Sequence, residues 1–85
     1  MQNTTFTDAA WRDYLCWRGE SSQALARIND LIEAARRTPY EDIGKPEPLK
    51  GGLSGLWSRR IDSANRLVYA VGEGAITVIS CRYHY

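Results

Sequence analysis

The chain has 85 residues, of which 44% are hydrophobic and 25% charged, and its formal net charge is +1. A chain of this length builds one core, so we expect residues 1–85 to form a single domain, and the near-average composition excludes a disordered or fibrous protein. No apolar run approaches the ~18 residues that span a bilayer, and the polar start MQNTTFTD lacks the order of a signal peptide, so the expected location is the cytoplasm.

Two helices are predicted in the N-terminal half. Thr7 precedes an acidic residue and then apolar residues at helical spacing, which is typical of an N-capped helix, and Gly19 is expected to end it. Ser21 or Ser22 is expected to cap a second helix with one apolar stripe. This helix ends before Pro39, because the residue before a proline is disfavoured in the helical conformation. Together the two segments predict a helical hairpin.

Residues 39–55 are predicted to form a loop. They contain all three prolines and four of the seven glycines, and they show neither helical nor strand periodicity. A loop of this length in so small a domain usually carries a function or covers the edge of a sheet.

The pattern after residue 55 alternates and is rich in Val, Ile, Tyr and Trp, which favours strands. The predicted strands are residues 56–61, 66–71 and 75–82. Turn signals at 62–65 and 72–74 join them into an antiparallel meander, and residues 4–6 could add an edge strand. The expected fold class is α+β, with the N-terminal helical hairpin packed on one face of an antiparallel sheet.

The last predicted strand leaves its core face open. Strict alternation groups Ile76 and Val78 with Ser80 and Arg82, and places Cys81 on the other face. Because both faces carry apolar residues, alternation alone does not decide which one is buried.

The two cysteines do not suggest a disulfide framework. Cys16 and Cys81 are too few and too far apart in sequence, and we interpret both as reduced packing residues. One histidine and two cysteines also supply too few ligands for a typical metal site, so neither a metal nor another cofactor is expected.

Positive charge is concentrated in the C-terminal half. Residues 1–43 carry five Lys or Arg against seven Asp or Glu, whereas residues 44–85 carry six against three. Contacts to phosphate are therefore expected in the second half. Arg59 and Arg60 must point to opposite sides of their strand, so one of them lies over the sheet face that the helices leave open, or near its rim.

The polar residues of this half form a candidate site. They are Lys45, Glu47, Lys50, Arg59, Arg60, Arg66, His84 and Tyr85. In a meander of short strands they can converge on one strongly basic cleft. Cleavage of an RNA phosphodiester needs a general base, cations that stabilise the phosphorane, and a general acid. Glu47 and His84 are the only reasonable acid and base pair, and Arg66 and Lys50 suit phosphate.

Each of these residues also has an ordinary structural explanation. A single histidine near a terminus is commonly solvated or caps an element, and Glu47 between two prolines can be a polar loop residue. The arginine pair can form a solvated strand face. Tyr83 is expected to point inward and complete the core, on the side opposite to His84.

Longer motifs carry a family resemblance. The segment RRTPYEDIGKPEPLKGGLSGLWSRRIDSANRLVYAV, followed by the terminal CRYHY, closely resembles the Txe/YoeB family of bacterial toxins, within the RelE/ParE-like group. The blocks GKPEPLK, WSRRI, RLVYAV and CRYHY match in order and spacing. The resemblance implies a microbial-ribonuclease-like fold and a ribosome-dependent endoribonuclease that cuts mRNA in the ribosomal A site without metal.

The resemblance also implies roles for individual residues. Glu47 of KPEP would be the general base and His84 of RYHY the general acid. Arg66 of RLVY would stabilise the scissile phosphate, and the terminal Tyr85 would hold the substrate nucleotide. Lys50 of PLK and the arginines of WSRRI, Arg59 and above all Arg60, would support contacts to phosphate and ribosomal RNA.

The partners that the resemblance implies are mRNA, the ribosome, a YefM/Phd-type antitoxin and a second copy of the toxin, with DNA reached only through the antitoxin. Two alternatives remain from other classes. One is a ParE-like toxin that inhibits DNA gyrase without cutting RNA; the other is a purely structural or RNA-binding module. The Glu47 and His84 pair with a terminal tyrosine favours the ribonuclease.

Overall fold

The computed structural model of the chain describes residues 2–53 and 55–83. Its helices are α1 (Asp8–Glu20) and α2 (Ser22–Arg37). Its strands are β1 (Asn3–Phe6), β2 (Glu47–Pro48), β3 (Leu56–Arg60), β4 (Arg66–Gly72) and β5 (Ala75–Ser80), and one turn of 3-10 helix covers Gly51–Leu53. His84 and Tyr85, two of the predicted site residues, lie outside the described residues.

The helical hairpin is confirmed, together with its two caps. The Thr7 hydroxyl accepts the backbone N–H of Ala10 at 3.1 Å, and the Ser21 hydroxyl accepts that of Ala24 at 3.1 Å. These side chains satisfy N–H groups that the first turn of a helix leaves unpaired. Gly19 lies inside α1, one residue before its end, so the predicted stop at Gly19 is early by one residue. The helix α2 ends at Arg37, before Thr38 and Pro39, as predicted.

The sheet has the strand order β1-β5-β4-β3-β2. The antiparallel meander of β3, β4 and β5 is confirmed, and the short edge strand forms at Asn3–Phe6. This strand runs parallel to β5, so the sheet is mixed. The predicted loop is partly wrong, because Glu47–Pro48 pairs antiparallel with β3 and forms the opposite edge. Two paired residues are too few to leave a periodic signal.

A β-bulge decides which residues of the last strand are buried. Tyr69 pairs with Val78 while its neighbour Val68 pairs with Ser80, so Ile79 is an additional residue in β5. A bulge reverses the alternation beyond it. Cys81 therefore joins Val78 in the core, and the grouping of Val78 with Ser80 on one face is wrong.

The core lies between the two helices and one face of the sheet. Its fully buried members include Ile28 and Leu31 of α2, together with Leu67, Tyr69 and Ile76 of the sheet.

The two cysteines differ in environment. Cys81 is buried as expected, but Cys16 is exposed on α1 and does not pack into the core. Burial raises the pKa of the Cys81 thiol to about 12, and the nearby Asp13 carboxylate adds to this effect. Within residues 2–53 and 55–83, no helix is long and apolar enough to cross a membrane.

Candidate active site

Strand register brings three of the predicted site residues to one face of the sheet. Glu47 lies opposite Ser58, which lies opposite Val68, while Arg60 lies opposite Arg66. Residues that are directly opposite across strands, or two apart along a strand, share a face. Glu47, Arg60 and Arg66 therefore converge on the side of the sheet that the helices do not cover.

These residues line a cleft of about 450 Å³. The lining consists of Glu47, Leu49, Ser58, Arg60, Asp62, Ser63, Arg66 and Val68. Two arginines face two carboxylates there, so the part of the lining that the structure describes is balanced in charge, whereas a strongly basic cleft was expected. The acidic residue that sequence reasoning missed is Asp62, which was treated only as part of a turn.

Asp62 holds the turn between β3 and β4. Its Oδ1 atom accepts the backbone N–H groups of Ala64 and Asn65, both at 2.8 Å, and the Asn65 side chain donates to the same carboxylate. These donors, the Ala64 N–H above all, lower the pKa of Asp62. This Asx turn was detectable in the sequence, because aspartate often accepts N–H groups two and three residues further on. Its consequence is a fixed start for β4 at Arg66.

Arg66 is half-buried at the bottom of the cleft. One guanidinium nitrogen, Nη1, donates to the hydroxyl of Ser58 at 3.2 Å. Ser58 is itself fully buried and lines the cleft. The hydrogen bond aims the arginine along the sheet face, where its remaining donors can meet two oxygens of one phosphate.

Arg60 is exposed at the rim, and its backbone is held from both sides. Its N–H donates to the carbonyl of Gly44 at 2.7 Å, and its carbonyl accepts Nη2 of Arg27 at 3.1 Å. The backbone is fixed while the guanidinium remains at the cleft.

Lys50 is exposed just after β2, and the structure does not place it among the lining residues. It lies three residues after Glu47 in the sequence.

Arg59 is not brought to the cleft. It points to the other side of β3, where it is fully buried against the segment that follows α2. Its Nε donates to the Tyr69 hydroxyl at 3.0 Å and its Nη1 to the Ile43 carbonyl at 3.0 Å, while Nη2 reaches the carbonyls of Thr38 and Glu41. The prediction that Arg59 contacts substrate therefore has no support in its position. Its donors are used to hold the loop that leads to Glu47.

The backbone of Tyr83 lies beside that of Arg66. The Tyr83 carbonyl accepts the N–H of Arg66 at 2.8 Å, and the Tyr83 N–H donates to Oδ1 of Asn65 at 2.6 Å. The expectation that Tyr83 packs into the core is wrong, because 67% of it is exposed. The strand β5 ends at Ser80, after its bulge, and Tyr83 itself has a positive φ of 61°, so the alternation of the strand does not extend to this residue.

No metal cluster is found in the part of the chain that the structure describes: residues 2–53 and 55–83 contain no group of three or more His, Cys, Asp or Glu that could hold an ion. The titratable groups that the described lining brings to the cleft are the carboxylates of Glu47 and Asp62 and the guanidinium groups of Arg60 and Arg66.

Known bacterial toxins resemble this chain over nearly its whole length. The family model described as "YoeB-like toxin of bacterial type II toxin-antitoxin system" matches residues 6–85. Toxin YoeB of Synechocystis sp. is 52% identical over 80 residues, which is 94% of this chain and 93% of that protein.

Two solved structures extend the likeness. The YoeB dimer of Staphylococcus aureus has a TM-score of 0.92 and 41% identity, and the match covers 99% of this chain and 98% of that one. The heterotetrameric YoeB-YefM toxin-antitoxin complex of the same organism gives a TM-score of 0.90 and 41% identity over 100% and 99%. With a family match over nearly its whole length and a relative more than half identical, this chain belongs to the YoeB-like toxins of bacterial type II toxin-antitoxin systems.

Proposed function

We propose that this toxin is a ribosome-dependent endoribonuclease that cuts mRNA in the ribosomal A site by metal-independent acid and base chemistry, and thereby inhibits translation. The observation that carries the proposal is the register that gathers Glu47, Arg60 and Arg66 in one open cleft. A carboxylate opposed to two guanidinium groups suits a reaction at a phosphodiester.

The proposed reaction begins at Glu47, which is exposed and can approach a ribose. Its carboxylate takes the proton of the 2′-hydroxyl, and the 2′-oxygen attacks the adjacent phosphorus. The bond from phosphorus to the 5′-oxygen breaks, which leaves a 2′,3′-cyclic phosphate on one fragment. His84 gives a proton to the departing 5′-oxygen. Arg66 stabilises the negative charge that grows on the non-bridging oxygens.

Three further residues are proposed to hold the substrate. Tyr85 holds the nucleotide at the cut, because an aromatic ring stacks on an unpaired base. Arg60 at the rim of the cleft and Lys50, which is exposed after β2, contact phosphates of the mRNA or the ribosomal RNA. The position of Arg59 removes it from this group.

The proposed partners follow from the family. A YefM-type antitoxin neutralises the toxin, as the Staphylococcus aureus complex suggests by its composition, and a second copy of the chain forms a homodimer like the one solved from that organism. The ribosome supplies the mRNA in a conformation that the cleft can bind.

The direct test uses purified protein, ribosomes programmed with mRNA, and primer extension to map the cut. Glu47→Gln keeps the shape of the side chain but removes the base, so cleavage should fall about 10²- to 10⁴-fold. His84→Ala should have a comparable effect. Glu73→Gln is the matched control, because Glu73 is an exposed glutamate in the turn between β4 and β5, away from the cleft.

Undiminished cleavage by both Glu47→Gln and His84→Ala would show that the acid and base are assigned incorrectly. Cleavage of naked RNA at the rate seen on ribosomes would instead disprove ribosome dependence.

A further inference from the structure

The helix α1 holds the segment that follows β5 at two neighbouring points. The indole N–H of Trp17 donates to the Cys81 carbonyl at 2.7 Å, and this hydrogen bond is buried. The Cys81 N–H donates to Oδ2 of Asp13 at 3.1 Å. Both backbone polar groups of Cys81 are thus satisfied by α1 rather than by a neighbouring strand.

Arg82 adds a third point of attachment. Its Nη2 donates to Oε1 of Glu20 at 3.1 Å, and its Nη1 forms an ion pair with Oε2 of the same carboxylate at 2.8 Å. The guanidinium carbon lies 5.0 Å from the Trp17 ring centroid and 5.5 Å from that of Tyr83, so the cation contacts both aromatic rings. The pairing with Arg82 lowers the pKa of Glu20.

The three helix residues are arranged to act together. Asp13, Trp17 and Glu20 are spaced by four and three positions, which places them on one face of α1. Their contacts run in order along the chain, because the first two meet Cys81 and the last meets Arg82. Terminal residues usually fray unless such contacts tie them down.

We propose that Asp13, Trp17 and Glu20 form a clamp that positions the chain end for the reaction. The inference rests on the proposed function, in which the residue after Tyr83 is the general acid. A proton donor must be held within about half an ångström of its productive place, and a free chain end would lose that precision. These are positioning residues that act through Arg82 and Tyr83, without touching substrate.

The clamp has a signature that separates it from a general electrostatic effect. Removing a negative charge from a protein that binds RNA strengthens its binding, because fewer charges repel the phosphates. Glu20→Gln should therefore leave KM unchanged or lower it. A released chain end, by contrast, lowers kcat. The electrostatic effect acts on KM and the clamp acts on kcat, so separate measurement of the two constants distinguishes them.

The test compares Glu20→Gln with Glu33→Gln, which is a close match. Glu33 pairs with Arg36 at 2.9 Å on α2, and its side chain is 50% exposed, against 53% for Glu20. Both variants remove one negative charge from an exposed helical glutamate that forms an ion pair. We expect Glu20→Gln to lower kcat on programmed ribosomes about two- to fivefold, the range that exposed ion pairs provide. Glu33→Gln should keep the wild-type kcat.

Two further measurements accompany the kinetics. Urea unfolding should give both variants close to the wild-type stability, and amide hydrogen exchange at Tyr83, whose N–H is bonded to Asn65, should accelerate only in Glu20→Gln. A double-mutant cycle with Arg82→Gln completes the test. Glu20→Gln should have no further effect on kcat once Arg82 is replaced.

Several results would overturn the clamp: a wild-type kcat in Glu20→Gln, an equal loss in Glu33→Gln, or an undiminished effect of Glu20→Gln in the Arg82→Gln background. A wild-type protein that does not cut RNA on ribosomes would overturn the proposed function instead. In that case the exchange rate at Tyr83 still decides whether α1 holds the chain end, and an unchanged rate in Glu20→Gln would refute it.

Discussion

Replacing Arg59 with methionine is expected to lower the free energy of unfolding by about 2 to 4 kcal/mol, whereas the same change at its neighbour Arg60 should have almost no effect on stability. The two arginines are adjacent in β3, but Arg59 is fully buried and Arg60 is exposed at the cleft. Identical substitutions at these positions therefore compare a buried with an exposed guanidinium.

The magnitude follows from the contacts of the Arg59 guanidinium. Its loss leaves the carbonyls of Thr38, Glu41 and Ile43 without this donor, at about 1 kcal/mol each because they are only partly buried. The cation also lies 5.7 Å from the centroid of the Tyr69 ring, a contact that contributes about 1 kcal/mol. The substitution also removes the cost of burying a charged group, and this offsets part of the lost stability.

Urea unfolding followed by circular dichroism measures this difference. A domain of this size has a total stability of roughly 4 to 13 kcal/mol and an m-value of about 1 kcal/mol per molar urea. The midpoint of Arg59→Met should therefore fall by about 2 M or more. Arg60→Met should keep its midpoint within about 0.5 M but lose cleavage on ribosomes, because it removes a phosphate contact.

The reasoning would be refuted by a change of less than about 1 kcal/mol in Arg59→Met, or by equal losses of stability in the two variants. Arg59→Lys refines the result. A lysine keeps the charge but cannot reach several acceptors at once, so its stability should lie between wild type and Arg59→Met.

Three other predictions concern the pH profile, the cysteines and a glycine. Because the pKa of Asp62 is lowered in the folded protein, its carboxylate stabilises the fold fully above the unfolded pKa of about 4, and this contribution is lost as the pH falls through the folded pKa. Asp62→Asn should therefore lose less stability than the wild type when the protein is titrated with acid. Iodoacetamide at pH 8 should label exposed Cys16 in the native protein and Cys81 only after unfolding, as read by peptide mass spectrometry; native labelling of Cys81 would contradict its raised pKa and burial. Gly44→Ala should destabilise the protein by about 1 to 3 kcal/mol in urea titrations, because φ is +87° and a Cβ would lie 2.6 Å from an α2 side chain. Gly19→Ala within α1 meets no atom within 4 Å and should be stabilising. Equal effects of the two substitutions on stability would argue against the steric account.

Much of the site was predictable because its residues lie in contiguous motifs. Glu47 and Arg66 could be named from KPEP and RLVY without a structure, and strand alternation already required Arg59 and Arg60 to face opposite ways. Alternation could not say which of the two faces the cleft. That choice depends on where α2 packs, and on the three carbonyls of a distant loop that satisfy a buried guanidinium.

By itself, the sequence determined the caps at Thr7 and Ser21, the strand meander and the family, since hydrogen bonds between near neighbours and unbroken motifs are local properties. Only the tertiary structure decided the parallel pairing of β1, the paired edge at Glu47 and the bulge at Ile79 that brings Cys81 into the core. It also decided that Tyr83 is exposed beside Arg66, while α1 holds the two residues before it. These features depend on partners far along the chain. One additional residue in a strand turns every side chain beyond it to the opposite face, and no local sequence pattern shows which distant groups those side chains will contact.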